Sequence, residues 1–305
     1  MNEVSILSPA TVSNVVCGFD CLGFALSGPH DEMTLRKTAN RTITITNQDD
    51  FGLPTDPTHN VAGIALQAIA DAAVIEHGFE IVSSKTIKPG SGIGSSAASA
   101  AGVVVAANRL LGNRFSKSEL VGFAMKGEAF ASGAIHADNL APCVYGGFVL
   151  VRSVEPLDIV ELRYPPLFAT VIHPQIEIKT AEARAILPKE VPLKSAIRQW
   201  SNVGSLVAAL ANGDLDLIRR SLEDVIVEPV RKALIPEFDA LKAACLEAGA
   251  LGGGISGSGP SVFMLSDSVE IANAVEMKMA DVYGPTGIEF NTYVSGIERE
   301  GVKFV

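Results

Sequence analysis

The stretch Pro89–Gly102, PGSGIGSSAASAAG, constrains this chain more than any other segment. It lies between FEIVSSKTIK, which reads as a strand, and AASAAGVVVAANRLL, which reads as a helix. Glycine and serine in a row ordinarily make a flexible linker. Between two patterned elements they instead make a strand, a tight loop and a helix N-terminus. The first N–H groups of a helix have no partner within it, and the helix dipole places partial positive charge there. Glycines let those amides close on phosphate oxygens without a Cβ in the way. Ser95 and Ser96 add hydroxyl donors, or a hydroxyl ligand for a phosphate-bound Mg²⁺. Ala97, Ala98, Ala100, Ala101 and Gly102 allow the helix to pack close to its neighbours. A plain tight turn with a helix cap is the simpler alternative, weakened because a single glycine suffices for a turn.

The familiar nucleotide motifs do not fit. No lysine follows the glycines into the helix as GxxxxGK[ST] requires, and GSGIGS is not GxGxxG. No early acidic residue ends a matching strand, so a dinucleotide oxidoreductase is disfavoured along with a P-loop NTPase.

The 305 residues allow one large domain or two ordinary ones. With 48% hydrophobic and 19% charged residues the chain can bury a substantial core. A net charge of −10 weighs against nucleic acid or an anionic membrane as partner. No run of eighteen apolar residues occurs, and MNEVSILSPA has no basic n-region, so neither a membrane span nor a signal peptide is expected. Cys17, Cys21, Cys143 and Cys245 lack metal or redox spacing and are expected to be reduced thiols of a cytoplasmic protein. The five histidines form no HExxH cluster, which argues against zinc.

Strands are expected at VSIL before Ser8-Pro9, at RTITIT (41–46), at about 79–88, at GGFVLVRS, LFATVIHP and IEFNTYVSG, and as two short runs around GGGISGSGPSVFML. Helices are expected over Asn60–His77, closed by Gly78; from the glycine loop to about Leu111; from Ser116, with a capping box; over KSAIRQWSNVGSLVAALAN, DLDLIRRSLEDVI and PEFDALKAACLEAGA; and from Ser268. The class is α+β without repeats. RYPPL (Arg163–Leu167) is the most plausible boundary, dividing the chain into residues 1–163 and 164–305.

The loop PGSGIGSSA resembles the phosphate loop of the GHMP small-molecule kinases. SPATVSNVVCGFDCLGFAL (Ser8–Leu26) is similar to that family's first motif and GGISGSGPSVFML (Gly253–Leu265) to its third, in the family's order. SNVVCGFDCLG, GAIHADNLAPCVYGG, TAEARAILP and DVIVEPVRKALIP further resemble the branch of the family that phosphorylates L-homoserine. The resemblance implies the two-domain GHMP kinase fold: an N-terminal domain like ribosomal protein S5 domain 2 and a C-terminal ferredoxin-like domain. ATP and L-homoserine would meet between them, on the route to threonine. GGISGSGPSVF would buttress the phosphate loop, although a plain hairpin turn is nearly as good a reading of it. A homodimer is common among such proteins, but no stretch of this sequence establishes an interface.

The ATP site implied comprises Lys88, Pro89, Gly90, Ser91, Gly92, Ile93, Gly94, Ser95, Ser96, Ala97 and Ala98, with Asn60 near the base or ribose. Mg²⁺ would fall to Ser96 and Glu128, since it needs few protein oxygens beside phosphates and water. A surface carboxylate paired with Lys126 or Lys117 is the alternative for Glu128. An amino-acid acceptor needs anchors for its carboxylate and ammonium. Arg184 and Arg231 are candidates for the carboxylate, Asp20 for the ammonium, with Asn14 beside it. The resemblance assigns these four to the substrate, together with His136, Asn139 and Thr180. A solvated helix-face charge at Arg184, an Asx-turn at Asp20 and a satisfied turn histidine at His136 remain open.

Several members of the family use an aspartate base and a lysine near the first motif. SPATVSN has no lysine, and the position matching the base is Asn139, whose amide cannot usefully take a proton. The expectation is catalysis without a carboxylate base, Asn139 orienting the hydroxyl while Ser96 and the loop amides meet the phosphates. Asp138 as general base is the alternative. A mevalonate acceptor is disfavoured because Asp20 would lack an ammonium partner. A ligand sensor on the same fold would be expected to have lost the loop, Ser96 and Glu128.

Overall fold

The computed structural model describes residues 1–132 and 136–305. Strand β1 (Glu3–Ser13) does not stop at Ser8-Pro9 but continues, because the ladder slips at Pro9/Thr11 and the proline sits at that bulge. It pairs with β2 (Leu22–Thr38), a 17-residue strand whose two halves take different partners. β3 (Ile43–Asn47) follows, then α1 (Val61–Ala73), capped by the Asn60 side chain on the Ala62 N–H at 2.9 Å. α1 ends at left-handed Val74, four residues before Gly78, which instead opens β4 (Gly78–Ser84) where the backbone of Asn40 and Thr42 leaves no room for a Cβ.

The glycine loop leads into α2 (Ser95–Leu110). There Gly102 lies over β1, with the Ile6 and Ser8 side chains about 3 Å from where a Cβ would stand, so the small-residue stripe does permit close packing. α3 (Lys117–Ser132) starts with the expected reciprocal capping box between Ser116 and Glu119. α4 (Leu140–Tyr145), β5 (Phe148–Val154) and β6 (Leu157–Leu162) complete the first unit. Its sheet runs β1–β2–β4–β3, with β5 on β2 and β6 on β5, and α1 to α3 pack on it through Leu35, Leu66, Ile69, Ile81, Val104 and Val121.

The sheet changes between β6 and β7 (Phe168–Pro174). Then come α5 (Thr180–Ala185), α6 (Leu193–Asn212), α7 (Leu215–Ser221), α8 (Glu228–Arg231), α9 (Phe238–Glu247), β8 (Gly252–Ile255), β9 (Val262–Ser266), α10 (Val269–Tyr283) and β10 (Phe290–Gly296). The second sheet is antiparallel with order β10–β7–β9–β8, the fourth–first–third–second order of a ferredoxin-like unit. The chain then returns: β11 (Lys303–Phe304) adds to β1 in the first sheet.

An apolar layer joins the two sheets, with Phe24 4.7 Å from Phe148 and 5.7 Å from Phe263 between ring centroids. Burial of such rings fixes how the sheets sit and hence the cleft above them. Among the described residues no helix is long and apolar enough to cross a membrane.

Candidate active site

Every glycine of the 89–94 loop has a backbone that disfavours side chains: φ is +76° at Gly90, +83° at Gly92 and +73° at Gly94. A Cβ on Gly92 would come within 2.6 Å of the Gly259 carbonyl oxygen, and one on Gly94 would collide with the Thr11 hydroxyl. Gly94 caps α2 without any side-chain bond to its first amides. Gly90, Gly92, Gly94, Ser95, Ser96 and Ala97 line one open cleft. The helix N-terminus thus opens into a space suited to an anion.

The other expected loop residues stand outside that lining. Lys88 donates to Gln175 Oε1 at 2.6 Å, beside Pro89 on the loop's far side. Ile93 and Ala98 are core residues, and Ser91 is buried. Behind the loop lies a pair the sequence analysis missed. Lys85 Nζ is ion-paired with Asp31 and also donates to Ser95 O at 3.1 Å and Ser99 Oγ at 2.9 Å. Asp31 Oδ1 in turn accepts the Thr86 and Ile87 N–H groups, both at 2.9 Å.

The facing wall is built from distant segments. Asn14 and Asp20 both have φ of +57°, in the tight connection between β1 and β2. Asn14 accepts the Asp20 N–H at 2.7 Å and donates to Gly257 O at 2.7 Å. Asp20 meets Arg184 from α5 in a two-point pair of 3.0 and 2.9 Å, so Arg184 is not a solvated helix-face charge. That hydrogen bond raises the Arg184 pKa. Arg231 is buried and donates to Ala183 O at 3.0 Å and Gly257 O at 3.1 Å. Burial first, and then the Arg184 charge, push its pKa down.

Thr180 Oγ1 lies 3.3 Å from Ser258 Oγ, and His136 also lines the cleft. Residues 133–135 of the GAIHADN stretch lie outside the described residues. Asn139 is held from both ends: Oδ1 accepts from Thr11 Oγ1 and Nδ2 donates to Ser13 Oγ, each at 2.8 Å. Asp138 is 1% exposed and does not line the cleft. Its Oδ1 has no hydrogen-bond partner among the described residues. Burial pushes its pKa up to about 6, against the charge of His136 and with that of Asp20.

Ser96 Oγ donates to Glu128 Oε2 at 2.6 Å, so two oxygens from neighbouring helices meet at the cleft. Among the described residues no cluster of three or more His, Cys, Asp or Glu exists to bind a metal by itself. Asn60 uses its amide locally, Oδ1 in the α1 cap and Nδ2 on Pro54 O at 2.7 Å. It lines a second cavity with Asn47, Pro54, Lys85, Ser99 and Phe130. Thr11, Ser13, Phe19, Ile178 and Ser258 are further site residues that the sequence analysis did not single out: all but Ile178 lie inside the quoted motifs, but their roles appear only once the fold brings them together.

A phosphate-accepting helix N-terminus facing a carboxylate and two guanidinia defines a small-molecule kinase, and the chain belongs to the GHMP kinase family. The N-terminal domain model of these kinases matches residues 60–147 and the C-terminal model residues 206–283. Over 319 aligned residues and the full length of both chains it is 45% identical to the homoserine kinase of Chloroherpeton thalassium. The crystal structure of homoserine kinase from Cytophaga hutchinsonii superposes with a TM-score of 0.96 at 48% identity, over 100% of this chain and 98% of that one. The L. major mevalonate kinase complexed with R-mevalonate shares the fold at a TM-score of 0.74 and 16% identity, over 96% and 95% of the two chains. As a kinase of this family the chain takes ATP as its co-substrate.

Proposed function

We propose that this cleft transfers the γ-phosphoryl group of ATP to the side-chain hydroxyl of L-homoserine, giving O-phospho-L-homoserine on the route to threonine. The carrying observation is that a glycine-bracketed helix N-terminus and the Asp20–Arg184–Arg231 cluster share one cleft, in a chain similar over its whole length to homoserine kinases. An amino acid carries both charges that this cluster complements.

In this reading the α2 amides and Ser96 receive the triphosphate. The second cavity beside Asn60 takes the nucleoside. Asp20 takes the acceptor's ammonium, with Asn14 fixing the Asp20 backbone. Arg231 and Arg184 take the carboxylate, and Thr180 and His136 close the remaining walls. Asn139, clamped by Thr11 and Ser13, orients the hydroxyl oxygen toward the γ-phosphorus. The oxygen–phosphorus bond forms as the bond to the bridging oxygen of ADP breaks, and the hydroxyl proton passes to a phosphoryl oxygen. Asp138 lies behind the wall, so the reaction proceeds without a carboxylate base.

The Ser96–Glu128 oxygen pair fits Mg²⁺, which takes few protein oxygens when phosphates supply the rest. When bound, the ion supplies neutralisation of phosphate charge. We assign the phosphate loop to a unit of residues 1–163 and the guanidinia to a unit of residues 164–305, supported by the change of sheet after β6, with the terminal strand β11 crossing back to the first sheet. We place the enzyme in the cytoplasm; its four unpaired cysteines suit a reducing compartment.

The test is ADP release by the purified protein with Mg-ATP and L-homoserine, mevalonate, galactose, L-serine or no acceptor. Saturable turnover on L-homoserine alone is expected. Turnover on a different acceptor, or none despite ATP binding, would overturn the assignment.

A further inference from the structure

Phe19 stands in the tight connection between β1 and β2, one residue before Asp20, and does not line the cleft. Its ring nevertheless lies under both guanidinia of the facing wall. The Arg231 Cζ is 5.0 Å and the Arg184 Cζ 5.5 Å from the ring centroid. Two cations on one aromatic ring need a reason, since like charges repel and burial of a guanidinium is costly.

Asp20 offsets one of them directly, by its two-point pair with Arg184. Among the described residues Arg231 makes no direct ion pair: its hydrogen bonds run to the carbonyls of Ala183 and Gly257, and the charges of Asp20, Asp224 and Asp138 act on it only from a distance. It is also the more deeply buried of the two. Beside those two carbonyls, the negative face of the Phe19 ring holds the Arg231 cation at a set place, and this attraction grows when water is excluded. The backbone explains how the ring gets there. Gly18 accepts the Cys21 and Leu22 N–H groups and leaves no space for a Cβ against Leu22, so the turn is tight. Asp20, at φ +57°, then points its carboxylate to Arg184.

We infer that Phe19 is a positioning residue for the amino-acid acceptor: its ring holds the Arg184 and Arg231 guanidinia together at the spacing that receives the substrate carboxylate, without itself touching the substrate. The inference rests on the L-homoserine reading of the cleft. It extends that reading to a residue whose side chain has no polar atom.

The variants that test it are Phe19→Leu, which keeps an apolar side chain and removes the π face, and Phe19→Tyr, which keeps the face. Wild-type turnover on L-homoserine is established first; its failure would sink the reading of the cleft rather than the role of Phe19. Phe19→Leu should raise the KM for L-homoserine about tenfold or more. The KM for ATP and the thermal unfolding midpoint should move little, and Phe19→Tyr should restore the KM to within about threefold of wild type. To keep folding out of the comparison, phenylalanines carrying one, two and three ring fluorines are placed at position 19. Each fluorine weakens the ring's negative face at nearly constant shape, so log KM for L-homoserine should climb stepwise. A flat fluorination series would overturn the proposal. So would a Phe19→Leu protein whose two KM values rise together.

Discussion

The Ser256 hydroxyl donates to the Gly92 carbonyl at 2.7 Å, tying the second sheet to the phosphate loop across 164 residues of chain. Ser261 does the same for Ser91 O at 2.6 Å. The glycine turn after β8 is therefore a buttress and not merely a hairpin turn. Each hydroxyl bond contributes about 1 kcal/mol, so Ser256→Ala should raise the KM for ATP roughly fivefold. Gly257→Val should do more harm. Gly257 has φ +59° and its Cβ would lie 3.0 Å from Gly92 O, a conformation a β-branched residue resists. Steady-state kinetics beside thermal melts should show activity falling further than stability; equal loss of both would favour the plain turn.

Asp31 and Lys85 form a pair that is 2% and 3% exposed behind the same loop. Removing one charge leaves the other buried without its partner, which costs about 3–5 kcal/mol. Lys85→Met should therefore lower the denaturant midpoint sharply, and Asp31→Asn combined with Lys85→Met, which removes both charges but keeps an acceptor for the Thr86 and Ile87 N–H groups, should recover much of it. A double variant no better than the single would mean that the contacts to Ser95 O and Ser99, rather than charge balance, hold the loop.

What could be read from the sequence was what local backbone chemistry decides. Asn60, Ser116 and Ser268 cap helices where their side chains allow it, and the glycines at 90, 92 and 94 mark a loop that no other residue can follow. The whole of β2 escaped because GFALSGPHDE mixes a proline and charges into a strand that only its neighbours stabilise. β11 is too short to carry any pattern. At the site, the cleft-lining charges were recognisable one by one through their motifs. The Asp31–Lys85 pair, the Thr11 and Ser13 clamp on Asn139 and the ring of Phe19 were not, because each depends on residues brought together from far apart.

Ser96 and Glu128 predict a metal dependence. Both Ser96→Ala and Glu128→Gln should raise the Mg²⁺ concentration needed for half-maximal ADP production and lower turnover by about a hundredfold, as expected for lost charge stabilisation. Because the two side chains touch, their effects should combine to less than the product. An unchanged Mg²⁺ requirement in both variants would refute a metal site there.

Asp138 and Asn139 separate the two accounts of proton transfer. Asn139 is fixed in the cleft by Thr11 and Ser13, whereas the Asp138 carboxyl is buried behind it. Asn139→Ala should cost about a hundredfold in kcat with little change in the KM for ATP, and Asp138→Asn should retain activity within about tenfold. A loss of about two orders of magnitude from Asp138→Asn alone would instead make Asp138 the base. Stability gives an independent check with a definite sign. The folded-state pKa of Asp138, about 6, lies above its ordinary value of 3.8, with burial as the main cause. Between those values the folded protein holds a proton that the unfolded chain has released, so this group's contribution improves as pH falls through 6. It worsens as pH rises from about 4 to 6 and stays at its full cost above 6, where a bare carboxylate must remain buried. Asp138→Asn, neutral throughout, should melt higher than wild type at pH 7.5, and the gap should close by pH 4. A gap that stayed constant over that range would mean that the carboxyl is not the group whose charge is being suppressed, and the case for a buried, idle Asp138 would fail with it.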